Sequence, residues 1–199
     1  DHAPEAKTVV FVVDRSGSMS GEKSNQAREA LKFVLTRLRE GDLFNIVAYD
    51  NEVEAFRPEL QKFDDDSQSA AIGFVNGLFA GGSTNIDGAL TTALGMIQDE
   101  SRPSFLLFLT DGLPTVGERN EAKIAASAKS NNKHKARMIN FGVGYDVNSR
   151  LLDRISRAIE TDRDANPSTQ AAPNPAHVTT ADACARAASN LADDLDCPL

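Results

Sequence analysis

Residues Val9-Val10-Phe11-Val12-Val13-Asp14-Arg15-Ser16-Gly17-Ser18 decide how this chain folds. The run Val9–Val13 is unbroken, apolar and rich in β-branched side chains, with none of the alternation of a strand wetted on one face. Such a run predicts a strand covered on both faces, as in a parallel sheet. It ends on a carboxylate, followed by small hydroxyl-bearing residues and a glycine. Short side chains there must bring the backbone close to whatever they touch, and glycine permits that approach.

Working outward, strand-like and helix-like segments alternate up to Ile159. Ala27, Ala30, Leu31, Val34, Leu35 and Leu38 recur at three and four residues, the stripe of an amphipathic helix, and Gly41 closes it. Leu43–Tyr49 predicts a second strand, Asp50-Asn51 a turn, and Val53–Phe56 a short edge strand. Ala71–Leu78 and Ile86–Ile97 carry further helical stripes, and Phe105–Leu109 is another wholly apolar strand. A helix over about 120–131, a strand over Met138–Val143 and a helix over Leu151–Ile159 complete the series. This order predicts a doubly wound α/β fold, mostly parallel, with helices on both faces and one short antiparallel edge strand.

Residues 1–159 are thus expected to form one domain. Residues 160–199 depart from it, with ten alanines, four of the eight prolines, seven acidic side chains and only two basic ones. They are expected to be a loosely packed or partly disordered tail with a weak helix at about 180–195. Both cysteines, Cys184 and Cys197, lie there, too few for a disulfide framework and without His or Cys companions for zinc. The net charge of −8 argues against nucleic acid as a partner. No apolar run reaches the roughly 18 residues of a membrane span. The chain opens at Asp1 with neither Met nor a leader, and is expected to be a segment of a longer protein.

Three loops concentrate oxygen-bearing side chains: Asp14–Ser20, Gly81–Asn85 and Thr110–Gly112. The first and third follow strand carboxyl ends; the second precedes a helix that runs back antiparallel to the strands. All three are therefore expected at the carboxyl edge of the sheet, where open α/β folds bind ligands. Two carboxylates and several hydroxyls form a hard-oxygen donor set suited to Mg²⁺ or Mn²⁺. With so few negative ligands the ion stays electron-poor, and an open coordination place attracts an acidic side chain of a partner.

Asp14-x-Ser16-x-Ser18, then Thr84, then Asp111 resembles the metal-ion-dependent adhesion site of von Willebrand factor A domains. The phrases VVFVVDRSGSMSG, GGSTNIDGAL and LFLTDGLPTVGE more narrowly resemble inter-alpha-trypsin inhibitor heavy chains and bacterial proteins pairing such a domain with an upstream VIT domain. The resemblance covers about residues 7–159. It implies that Ser16, Ser18 and Thr84 contact the metal, that Asp14 and Asp111 act largely through water, and that a partner's Asp or Glu completes the shell. It also implies a non-enzymatic adhesion module, an N-terminal VIT domain and an extracytoplasmic setting. Relatives carry another strand after the segment equivalent to Leu151–Ile159; His177–Thr180 is the candidate here.

Each site residue also has an ordinary reading. Ser18 or Ser20 would cap the helix starting near Glu22, Thr84 or Asn85 the helix that follows, and Asp111-Gly112 would be a plain turn. Arg15 and Met19 are expected to be solvent-exposed on the rim. A phosphate-binding loop at Gly17–Ser24 fails on spacing, with three residues between its glycines and Glu22 placed to repel phosphate. His2, His134 and His177 all lie outside the three loops, which leaves no serine a base for hydrolysis. Glycosidase chemistry on Asp14 and Asp111 is weaker than their use in holding an ion. Two alternatives to adhesion remain: an intracellular domain coupled to an ATPase machine, and a structural domain with a vestigial site.

Overall fold

The run Val9–Val13 forms the middle of the central strand, β1 (Thr8–Asp14), all seven residues of which are buried. The computed structural model describes residues 5–160 and the backbone of Ala176–Val178. Around β1 the chain builds β2 (Leu43–Tyr49), β3 (Val53–Ala55), β4 (Gln61–Lys62), β5 (Ser104–Thr110), β6 (Arg137–Val143) and β7 (Ala176–Val178). Five helices join them: α1 (Glu22–Leu35), α2 (Asp65–Asn76), α3 (Ile86–Met96), α4 (Glu121–Asn131) and α5 (Ser149–Glu160).

The sheet order is β3-β2-β1-β5-β6-β7, with β4 also paired to β2. β1, β2, β5, β6 and β7 are mutually parallel, while β3 and β4 run antiparallel to β2. The expected doubly wound α/β sheet is therefore present, with two short antiparallel strands where one was expected. β4 was missed because two residues, Gln61 and Lys62, carry no periodicity. The last strand is Ala176–Val178, overlapping the candidate at His177, and it pairs with Phe141–Val143. The other expectations for residues 161–199, including the helix at 180–195 and the pairing of the cysteines, lie outside the described residues.

Strand alternation sorts the core into two layers. Val9, Phe11 and Val13 of β1, with Phe105, Leu107 and Leu109 of β5, pack under α1 and α2. Val10 and Val12, with Leu106 and Phe108, pack under α3, α4 and α5. Each such side chain contributes roughly 1.5–3 kcal/mol on burial, so the doubly covered strands fix the order of everything attached to their ends.

Two connections place the site. The chain leaves β1 toward β2 and returns to β5 on the opposite side, so the order reverses between β1 and β5. α2 lies on one face and α3 on the other. The segment between them, 77–85, therefore crosses over the carboxyl edge of the sheet just where that reversal occurs.

Candidate metal centre

Three segments meet at this edge, and the backbone ties them pairwise. Gly81 N–H donates to Arg15 O at 2.9 Å and Gly17 N–H to Gly82 O at 3.0 Å, joining the first loop to the crossing segment. Thr84 donates its N–H to the Thr115 hydroxyl at 2.8 Å and accepts from Thr115 N–H at 3.0 Å, joining that segment to the third loop. Gly82 sits at φ 77°, a conformation that favours glycine, and a Cβ there would displace the Asn51 side chain, whose Oδ1 would lie 2.5 Å away.

The loop following β1 meets the end of β5 through side chains. Asp14 accepts from Ser16 N–H at 2.8 Å and from the Thr110 hydroxyl at 2.7 Å. Thr110 in turn accepts from the Tyr49 hydroxyl at 3.1 Å and from Gly112 N–H at 2.9 Å. Burial pushes the Asp14 carboxyl above the usual carboxylate range, against the pull of its Ser16 and Thr110 hydrogen bonds, and the neighbouring Asp111 charge adds to the rise. The Tyr49 phenol is raised too, first by its own complete burial and then by the Asp14 charge. Negative charge is thus crowded into a dry place.

Asp111 is the least satisfied member. Its Oδ2 lies 3.5 Å from Lys23 Nζ, beyond good hydrogen-bond distance. Its Oδ1 is buried and has no hydrogen-bond partner among the described residues. Orphaned buried carboxylate oxygens are rare, because desolvating one without compensation is costly. The Ser16 and Ser18 hydroxyls lie 3.1 Å apart, Ser16 buried and Ser18 exposed. Thr84 is buried.

All five residues singled out in the sequence therefore occupy this one edge. The ordinary readings fare unevenly. The cap of α1 is Gly21, with no side-chain cap bond, so neither Ser18 nor Ser20 caps it. Asn85 caps α3 by accepting from Gly88 N–H, which leaves Thr84 without that role. Met19 is a correction: it is completely buried in the layer beneath α1, because the 3-10 turn Gly17–Met19 folds it inward. Arg15 is also drawn off the rim, pairing with Asp50 at 3.2 Å and with Glu54. From the sequence, Thr110 was placed in the third loop without a role, and Tyr49 and Lys23 were given none here. Thr110 adjoins Asp111 and was legible as a candidate, whereas Lys23 meets its partner 88 residues away.

Among the described residues no three His, Cys, Asp or Glu side chains gather as a cation cage. The donors at this edge are two carboxylates and three hydroxyls, all hard oxygens, with one carboxylate oxygen lacking any partner. This set fits Mg²⁺ or Mn²⁺ and not a thiolate- or imidazole-seeking ion.

Residues 7–160 match the family described as von Willebrand factor type A domain. The chain is similar to human inter-alpha-trypsin inhibitor heavy chain H4, 36% identical over 158 residues, 75% of this chain and 17% of that protein. Heavy chain H2 of Mesocricetus auratus is 34% identical over 162 residues, again 17% of its length. The chain thus spans about a sixth of these relatives. Among solved structures, a von Willebrand factor type A protein from Catenulispora acidiphila superposes with a TM-score of 0.73 at 23% identity, covering 97% of this chain and 43% of that one. A pilus adhesin from Lactobacillus rhamnosus GG gives 0.73 at 16% identity, covering 96% and 30%; both likenesses are of fold.

Proposed function

Because the chain belongs to the von Willebrand factor type A domain family, we propose that its carboxyl-edge loops hold a divalent cation through which the domain binds an acidic side chain of a protein partner. Asp14, Ser16, Ser18, Thr84 and Asp111 would hold the ion, Mg²⁺ or Mn²⁺. When bound, it supplies a coordination place that a partner's Asp or Glu can fill. The carrying observation is Asp111 Oδ1, buried and unpartnered beside a second buried carboxylate.

The chain's own residues prepare this. Thr110 and Ser16 N–H hold Asp14 in one orientation, and Tyr49 fixes the Thr110 hydroxyl so that its proton points at Asp14. The backbone ties to Arg15 and Thr115 hold Thr84's segment against both other loops. Such preorganisation keeps the ordering cost of binding low. The domain acts as a binding module and catalyses no reaction. Its relatives include a heavy chain named as an inhibitor component, which supports a protein-binding role; an adhesive role in an extracellular setting is proposed with it. No described helix is long and apolar enough to cross a membrane.

Lys23 favours a second reading, in which its ammonium replaces the cation and the domain is purely structural. Isothermal calorimetry of Mg²⁺ and Mn²⁺ into chelator-treated protein separates the two. The adhesive reading expects one saturable site and a melting rise of roughly 5–10 °C at a hundredfold excess over Kd. Asp14→Ala should remove both. Absence of any heat and any melting shift in the parent protein would falsify the cation reading.

A further inference from the structure

Among the described residues the exposed large apolar side chains are Phe79 at 81%, Tyr145 at 83% and Leu113 at 50%. They are far apart in sequence, yet none lies on an outer helix face or at the amino edge. Phe79 belongs to the crossing segment, two residues before Gly81, which bonds Arg15 of the first loop. Leu113 lies two residues after Asp111. Tyr145 follows Gly144, which sits at φ 95° where a Cβ would come within 2.4 Å of Lys23 Cε. Lys23 in turn reaches Asp111. Each of the three is thus attached to a loop that touches the candidate cation centre.

Single exposed apolar residues are ordinary on any surface. Three on loops that all adjoin one polar centre are not, since aromatic and large aliphatic side chains around such centres anchor protein contacts. We infer that this rim, resting on the cation reading given above, selects partners whose acidic residue is flanked by large apolar side chains. Charge complementarity sets the centre of the contact: the cation and the Lys23 ammonium both favour a carboxylate there. Arg15, already paired with Asp50 and Glu54, is not free to recruit a second acid. Phe79, Leu113 and Tyr145 then cover the partner's residues on either side and exclude water from the carboxylate contact.

The test uses the 199-residue chain and a phage-displayed peptide library with a fixed central Asp or Glu and random flanks. Selection is made in Mg²⁺ with elution by chelator. The expected clones carry Phe, Leu, Tyr or Trp within two residues of the acid. A synthetic peptide of the commonest clone should bind a Phe79→Ser, Tyr145→Ser double variant at least tenfold more weakly, while circular dichroism and the Mg²⁺ isotherm report that its fold and cation loops stand. Clones without apolar bias, no clones above background, or equal affinity for both proteins overturns the rim while leaving a measured Mg²⁺ site in place. Absence of Mg²⁺ binding overturns the cation reading and the rim with it. Mg²⁺-dependent self-association that the double variant abolishes makes a second copy of the chain the occupant, and overturns the peptide proposal.

Discussion

The two edges of the sheet each bury carboxylates, and they treat them in opposite ways. At the amino edge Asp42 accepts from Lys7 N–H and from Arg39 N–H, both at 2.9 Å, and pairs with the buried Lys7 ammonium at 3.3 Å. Both of its oxygens are occupied and its charge is matched. At the carboxyl edge Asp14 and Asp111 lie near enough for the charge of one to act on the other, one Asp111 oxygen has no partner among the described residues, and the Lys23 ammonium stands off at 3.5 Å. The fold can evidently satisfy a buried carboxylate fully. Arg102 Nε, Ser104 Oγ, His134 Nδ1 and Asn140 Oδ1 are also buried without hydrogen-bond partners among the described residues. Only at Asp111 does the deficit fall on a carboxylate beside a second buried carboxylate, which is why the cation is proposed there.

The contrast can be broken by mutation. Asp42→Ala should give the largest effect, a loss of about 3–5 kcal/mol in urea unfolding, because it strands a buried ammonium; the difference from the parent should be the same with and without Mg²⁺. Asp111→Asn should behave inversely. Metal-free stability should fall far less than at Asp42, while the stabilisation by saturating Mg²⁺, about 2.7 kcal/mol at a hundredfold excess over Kd, should vanish. Equal losses at the two positions in the metal-free protein would show that the edges are alike after all. Thr110→Val should cost about 1–3 kcal/mol, since it leaves the Tyr49 hydroxyl and an Asp14 oxygen without partners. It should also weaken Mg²⁺ binding in calorimetry, as Asp14 loses its orientation. Lys23→Met should give the smallest effect and the opposite sign. Removing a charge that repels the incoming ion should tighten Mg²⁺ binding about tenfold, near 1.4 kcal/mol. Unchanged affinity would mean that the lysine does not oppose the ion, and weaker affinity that it assists the site.

What was legible from residues follows the physics of each region. Val9–Val13 and Phe105–Leu109 announce strands because both faces are covered, and their neighbours reveal the helices by periodicity. That three oxygen-rich loops share one edge was legible, since Asp14 and Asp111 end strands and Thr84 precedes a helix; the choice of these with Ser16 and Ser18 came from the family resemblance. Met19 was not legible, because a loop residue was read as a wet one, whereas a 3-10 turn buries it. Lys23 and Tyr49 were not, because their roles arise from contacts spanning 88 and 61 residues that no local pattern encodes. The unmet oxygen of Asp111 belongs to the same class: an absence of partners becomes visible only when every neighbour is in place.

The crossing segment and the strand reversal together have a consequence for biosynthesis. Asp14 is held by a residue 96 positions later, and Thr84 by one 31 positions later. A ribosome that has just added Asn85 has not yet made Asp111, so the nascent chain then holds only two of the three loops. Domains fold as units, while synthesis proceeds at about 5–20 residues per second. On the cation reading proposed above, capture would wait for β5 to insert beside β1, which would make loading a late certificate that the central sheet has closed.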